Sequence, residues 1–328
     1  MGSILENDDQ LTPGLKIEHT EHAGRRLICT KPYKKGDVVL ASSAFCSVIH
    51  AEHLPEKCSY CFTNVGTGGL GEDVATRLRC SRCKISCYCS QACQKADWAM
   101  HKTECSTMVP LLGAIDRVHG LSPGALGDAI LTARLLRARA ARKKEGASDS
   151  SAEGRKLVAA PLILQKEGVA EVLVSSLDDV DKLVLDERIY DTPGTTEKYQ
   201  KLAKALIAHG AKILPDGTST DEICDILAKF QCNNFSIVDD LFISVGAGIY
   251  PVGALLNHSC LSNCVLSYVG KTHVQVIRAL VDLKPGDEIC HSYCETGNPR
   301  WIRQKKLRED YGFGCECERC ESPKWQEV

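Results

Sequence analysis

Residues 80–105 read CSRCKISCYCSQACQKADWAMHKTEC, and with Cys58-Ser-Tyr-Cys61 upstream they hold eight metal-ligand side chains in four pairs. The pairs are Cys58-x2-Cys61, Cys80-x2-Cys83, Cys89-x3-Cys93 and His101-x3-Cys105. Zn2+ takes thiolates and imidazoles four at a time in a tetrahedron. Eight ligands at this spacing therefore predict two structural zinc ions in one small module. A disulfide framework is the competing reading. It fits poorly, because such close pairs are metal spacings and the opening MGSILENDDQ carries no apolar signal segment. The stretch QACQKADWAMHKTEC has helical periodicity, which sets His101 and Cys105 one turn apart on one face.

Around this module lies a chain of 328 residues, long enough for a full-sized core and more than one domain. Most of its 19 cysteines fall in C-x2-C, C-x3-C or C-x-C clusters, which predicts a reducing, intracellular setting where thiols serve metals. No run approaches the roughly 18 apolar residues of a membrane helix, so no membrane partner is expected. A net charge of -2 gives no global field toward nucleic acid, and a basic partner would have to be recognised locally.

Upstream of the module, residues 24–49 (GRRLICTKPYKKGDVVLASSAFCSVI) read as short strands around a Lys-Lys-Gly-Asp turn. Downstream, 127–142 reads as a helix, and 143–156 (KKEGASDSSAEGRK) as a flexible linker. The basic run from Arg134 to Lys144 reads as a solvated helix end. From 157 to 230 the pattern is helical, with Ser219-x-x-Glu222 as a capping box. After 231 the texture turns to strands and turns. Asn298-Pro299 then predicts an N-cap and first-turn proline for a helix to about Arg308.

A second cluster, Cys315-x-Cys317-x2-Cys320, is one ligand short of a tetrahedron. Either Cys260 or Cys264 could supply the fourth. In both cases the metal would clamp the tail over the turn near Asn257 as a lid.

Two further motifs, Asn257-His258-Ser259-Cys260-x2-Asn263-Cys264 and Gly286-Asp287-Glu288-Ile289-x-x-Ser292-Tyr293, accompany these clusters in one order. Together they make the chain resemble the SET and MYND domain protein lysine methyltransferases. The resemblance implies an α+β fold: a SET β-fold split by an inserted MYND zinc finger and a helical SET insert, closed by a post-SET zinc cap. The implied boundaries are 1–57 for the N-terminal part of the SET domain, 58–105 for the finger and 106–156 for a helix and linker. They continue with 157–230 for the helical insert, 231–294 for the SET core and 295–328 for the post-SET segment.

The resemblance also implies three zinc ions. One is held by Cys58, Cys61, Cys89 and Cys93, a second by Cys80, Cys83, His101 and Cys105, and a third by Cys260, Cys315, Cys317 and Cys320. Cys87 is left as a spare. S-adenosylmethionine is implied as the cofactor, contacted by Ala23, Gly24, Arg25, Asn233, Asn257, His258, Tyr293 and Phe313. Tyr293 takes the central catalytic position, with Tyr311 as its partner lining the lysine channel. These types suit the chemistry, since methyl transfer from a sulfonium asks mainly for alignment and desolvation, with a hydroxyl to orient the amine.

The sequence departs from the family pattern at two turns. Arg26 stands where the family has a second glycine, and Ser262 precedes Asn263 in place of proline. The chain runs only eight residues past Cys320, matching a short form without the C-terminal helical domain and with an open substrate cleft. The implied function is methylation of protein lysines, histones among the candidate substrates, by a monomer in the nucleus or cytoplasm. The alternative is a transcriptional adaptor whose finger binds proline-containing peptides while its SET domain is weak or inactive. Arg26 favours the adaptor; Asn257, Tyr293, Tyr311 and the complete terminal cluster favour the enzyme.

Overall fold

The computed structural model describes residues 9–20, 24–66, 77–119, 121, 124–144, 156–185, 187–269 and 273–322. Ala23 and most of the expected linker at 143–156 lie outside them. The strands are β1 Asp9–Thr12, β2 Leu15–Thr20, β3 Gly24–Cys29, β4 Val38–Ser42, β5 Cys46–Ile49, β6 Leu78–Arg79, β7 Cys87–Tyr88, β8 Lys156–Ala159 and β9 Glu171–Val174. They continue with β10 Asn234–Val238, β11 Ser244–Ile249, β12 Asn257–His258, β13 Cys264–Val269, β14 Val274–Ala279 and β15 Cys290–His291. The helices are α1 Gln91–Glu104, α2 Met108–Ile115, α3 Ala125–Lys144, α4 Leu162–Gln165, α5 Leu177–Asp181, α6 Thr195–Gly210, α7 Thr220–Asn233, α8 Arg300–Tyr311 and α9 Glu318–Glu321.

Strands on either side of the finger interleave. The sheet β13-β14-β4-β9-β8 places β4 antiparallel to β14, with Leu40 opposite Ile277, and the sheet β10-β11-β5 places β5 antiparallel to β11, with Ile49 opposite Gly246. Isolated bridges join Ile28 to Glu288 and Tyr33 to Leu283. The segment before the finger is thereby stitched to strands more than two hundred residues later. Apolar residues of both, among them Leu15, Leu27, Leu40, Leu256, Ile277 and Ile289, share one buried core. The Lys34–Asp37 turn closes as expected, with Lys34 N–H donating to Asp37 Oδ2 and Gly36 at φ +91°.

Helices α2, α3, α6 and α7 form a separate lobe. On α6, Tyr199, Leu202, Ala203 and Leu206 recur at helical intervals and are buried against Leu131, Leu135, Ile223 and Phe230. Leu206 has no exposed surface, so Leu206→Ala would cost about 2–5 kcal/mol. Ser219 Oγ caps α7 by accepting from Glu222 N–H.

The structure differs from the sequence reading in two places. The helical pattern expected throughout 157–230 is broken by β8 and β9, which pair antiparallel and join the main sheet beside β4 through Ser42 and Leu173. Lys-Leu-Val-Ala and Glu-Val-Leu-Val are short apolar runs that periodicity cannot assign, and the open edge of β4 decides for strand. At α8 the N-cap residue is Pro299, with no side-chain cap, in place of Asn298. No helix among the described residues is long and apolar enough to cross a membrane.

Candidate active site and metal centres

The finger builds its two ligand sets from turns and one helix. Ser90 Oγ caps α1 by accepting from Cys93 N–H, so the helix starts where Cys93 must turn inward, and His101 and Cys105 follow toward its end. Cys58, Cys61, Cys89 and Cys93 converge, as do Cys80, Cys83, His101 and Cys105, with all ligand atoms of each set within 4.8 Å of one another. Sulfur separations are 3.5 Å for Cys61–Cys89, 3.4 Å for Cys89–Cys93 and 3.7 Å for Cys80–Cys105. A tetrahedron of sulfurs on Zn2+ has edges of about 3.8 Å, so both sets fit the ion. Cys87 belongs to neither set; its sulfur takes a contact from Arg77 Nε at 3.4 Å.

The finger is bolted to the helical lobe by a buried ion cluster. Arg134 grips Glu104 with Nε and Nη2, each at 2.8 Å, and Arg137 Nη2 lies 2.9 Å from the same carboxylate. Burial alone would raise the Glu104 pKa, but the two guanidiniums outweigh it and hold it below the usual range. The basic run read as a solvated helix end is therefore, at Arg134 and Arg137, an interdomain clamp.

A third set unites Cys260 with Cys315, Cys317 and Cys320, and Cys260 Sγ lies 3.6 Å from Cys320 Sγ and 3.9 Å from Cys315 Sγ. Cys264 is instead buried in the core with Cys29, which settles the choice between the two. Arg303 supports the metal reading. It is 1% exposed, and its guanidinium donates to Cys260 Sγ at 3.3 Å and lies 3.9 Å from Cys320 Sγ. A buried cation needs a negative partner, and four thiolates on Zn2+ leave a net dianion to supply it.

Next to this centre two short strands cross in parallel. In β12 and β15, Asn257 lies opposite Cys290 and His258 opposite His291, and the Asn263 side chain closes the turn by accepting from Cys290 N–H and donating to Glu288 O. Tyr293 N–H donates to His258 Nδ1 at 2.9 Å, so the ring proton sits on Nε2 and faces Cys260 Sγ at 3.2 Å. Burial, reinforced by Arg303, pushes the His258 pKa down to about 4, so the ring is a neutral strut between Tyr293 and the metal centre. Tyr293 donates its hydroxyl to Leu256 O at 2.6 Å. Its ring lies 4.8 Å from that of Tyr311 and 6.4 Å from that of Phe313. Burial raises the pKa of Tyr293 and pushes Tyr311 up to about 12, so both stay protonated and neither is a base at neutral pH.

Asn257 spends both amide protons inside the protein, on Arg25 O at 3.2 Å and Glu288 Oε1 at 2.8 Å. Its Oδ1 is thus the group left to accept from a ligand. Arg26 turns toward Glu18, 2.8 Å away, and toward Glu288 at 3.9 Å, so its guanidinium is held across the sheet edge. Gly24 sits at φ +63° with open space where a Cβ would be, so its requirement is conformational. Asn233 ends α7 and donates to Val184 O and Lys229 O, both at 2.7 Å.

Asn233, Tyr293 and Tyr311 share a cavity of about 670 Å³ with Phe235, His291 and Cys294; Gly24, Arg25, Asn257, His258 and Phe313 are not on its wall. Sequence reasoning missed Phe235, His291, Glu288 and Arg303. Only Glu288, inside the Gly-Asp-Glu motif, carried a signal.

The MYND finger family model matches residues 58–105. Human N-lysine methyltransferase SMYD2 is 32% identical over 297 residues, 90% of this chain and 58% of that protein. The chain thus carries a MYND finger and is similar along most of its length to an N-lysine methyltransferase. It is also 28% identical to Histone-lysine N-methyltransferase ASHR1 of Arabidopsis thaliana, over 93% of this chain and 55% of that protein. It thus spans little more than half the length of the curated relatives it matches. A solved structure of Rubisco LSMT bound to AdoMet aligns over 92% of this chain and 52% of that one, with a TM-score of 0.44 and 14% identity, too loose a likeness to bear on function.

Proposed function

We propose that this chain methylates lysine side chains of proteins with S-adenosylmethionine as methyl donor. The observation that carries the reading is the placement of Tyr293, its N–H bonded to His258 of the Asn-His turn, its ring tilted against Tyr311 and packed on the Cys260 thiol centre. In this reading the catalytic domain is assembled from 1–57, 231–294 and the 295–328 cap, with the finger at 58–105, a connecting segment at 106–156 and the insert at 157–230.

When bound, S-adenosylmethionine supplies a methyl group on a sulfonium, whose S–C bond breaks as the C–N bond to the lysine amine forms. Gly24, Arg25, Asn233, Asn257, His258, Tyr293 and Phe313 would hold the donor. Asn257 Oδ1, its amide protons already committed, suits an ammonium N–H. The hydroxyls of Tyr293 and Tyr311 orient the amine without taking its proton, and the aromatic wall disfavours charged lysine, so the amine reacts neutral and its proton goes to solvent.

Two supporting assignments go with this reading. Exposed Tyr60 and Trp98 give the finger an apolar surface suited to proline-containing partner peptides. Reduced thiols at all 19 cysteines suit the nucleus or cytoplasm, where histones and other proteins would be the substrates. Calorimetric titration of the zinc-replete chain with S-adenosylmethionine tests the proposal. Stoichiometric binding followed by methylation of a protein mixture is expected; a folded protein giving no binding heat would refute it.

A further inference from the structure

One polar group on the cavity wall has no role so far. His291 is 8% exposed, and its ring lies 4.8 Å from Tyr293 and 5.9 Å from Phe235, centroid to centroid. Its backbone is fixed by pairing with His258 and by accepting from Ser259 N–H at 3.1 Å. Nε2 nevertheless has no hydrogen-bond partner among the described residues. A buried polar nitrogen left without a partner costs about 1–3 kcal/mol, a penalty that a bound group could remove. With Nε2 unpartnered, the neutral tautomer that carries its proton on Nδ1 presents a lone pair at Nε2. Burial keeps that ring neutral, pushing its pKa down to about 4. Asn234 Oδ1, on the same cavity wall, is a second acceptor without a partner.

We propose that His291 is a specificity-determining residue whose Nε2 accepts a hydrogen bond from the substrate amine and so selects lysines that still carry N–H groups. This rests on the methyl-transfer reading. A neutral lysine amine has two N–H bonds, its monomethyl form has one and its dimethyl form none. An acceptor set between Phe235 and Tyr293 therefore favours the first two and disfavours the third, which leaves Nε2 bare beside an added methyl group. The chain should accumulate mono- and dimethyl-lysine and stall before trimethyl-lysine.

The test uses the zinc-replete full chain and three degenerate peptide libraries whose central residue is lysine, monomethyl-lysine or dimethyl-lysine. Two readouts are taken: kcat/KM for each library, and calorimetric affinity for each in the presence of S-adenosylhomocysteine. The wild-type chain should disfavour dimethyl-lysine in both. His291→Leu should narrow the gap between lysine and dimethyl-lysine about tenfold, the size of one hydrogen bond to an amine. His291→Asn, which keeps an acceptor, should retain most of the gap. If His291→Leu unfolds, His291→Met makes the same comparison. Turnover and binding with the ratio unchanged in a folded variant would overturn the role of His291 alone. No turnover of any library by the wild-type chain would overturn the methyl-transfer reading and this inference with it.

Discussion

Replacing Arg134 by leucine should uncouple the finger from the body of the protein. Glu104 is 2% exposed and takes two parallel hydrogen bonds from Arg134 and one from Arg137; Arg134 Nη1 also donates to Ser47 O in β5. One arginine therefore joins three pieces: the end of α1 in the finger, α3 in the helical lobe, and the strand that pairs with β11. Removing it strands a buried carboxylate with a single cation and leaves the Ser47 carbonyl bare. Breaking a buried pair in this way costs about 3–5 kcal/mol, most of it the desolvation of the charge left behind. Replacing both partners should cost less, since Glu104→Leu removes the carboxylate that the single change strands and leaves Arg137, whose side chain is partly exposed, to turn to solvent. Urea unfolding of the four proteins in excess zinc, followed by tryptophan fluorescence, measures the cycle; Trp98 on α1 reports the finger. A single Arg134→Leu loss below about 1 kcal/mol, or a double variant no better than the single, would show that the cluster adds nothing to docking.

Three other outcomes follow from the site and the core. Tyr293→Phe deletes the hydrogen bond to Leu256 O and one hydroxyl facing the amine; a stability loss of about 1–2 kcal/mol and a fall in methylation of at least tenfold are expected, and unchanged rates on a core histone mixture would remove Tyr293 from the mechanism. Burial pushes the Asp128 carboxyl up to about 6, with Lys198 pulling the other way. The fold then holds a proton that the unfolded chain has released, so stability is lost as pH rises from about 4 to about 6. Asp128→Asn should therefore raise stability by on the order of 1–2 kcal/mol at pH ~7.5 with little gain at pH ~4, measured by thermal melts across pH. Chelation should unfold the finger and release Cys315–Cys320 from Cys260, since structural zinc contributes on the order of 10 kcal/mol per site; cofactor binding that survives complete metal removal, read by calorimetry, would contradict the lid.

What the sequence revealed and what it hid divide along physical lines. Metal ligands are legible because thiolate spacing is set by a tetrahedron a few ångströms across, so Cys58-x2-Cys61 carries its own geometry. The fourth ligand of the last cluster needed the fold, since Cys260 and Cys264 sit in one turn and only the strand register of β13 sends Cys264 into the core beside Cys29. Burial of Arg303 was invisible because α8, RWIRQKKLREDY, is so charged that it reads as a wholly solvated helix. The same blindness applied to Arg134, whose acid partner is 30 residues away in the finger. Strands β8 and β9 were lost because three apolar residues in a row have no period to read. His291 carried no signal either, since a histidine on a two-residue strand has no pattern around it.

The parallel crossing of β12 with β15 has a consequence for how the protein comes into being. The cavity and its supports depend on pieces translated far apart: Arg25, whose carbonyl holds Asn257, early; Asn257 and Tyr293 late; and the Cys315–Cys320 thiols that meet Cys260 later still. A nascent chain halted between Cys105 and Cys320 holds every ligand of the finger and an incomplete third set. Premature termination or clipping of the tail therefore leaves the finger's two ligand sets complete and the third set broken, and the final thiol trio acts as a completeness check on each copy made.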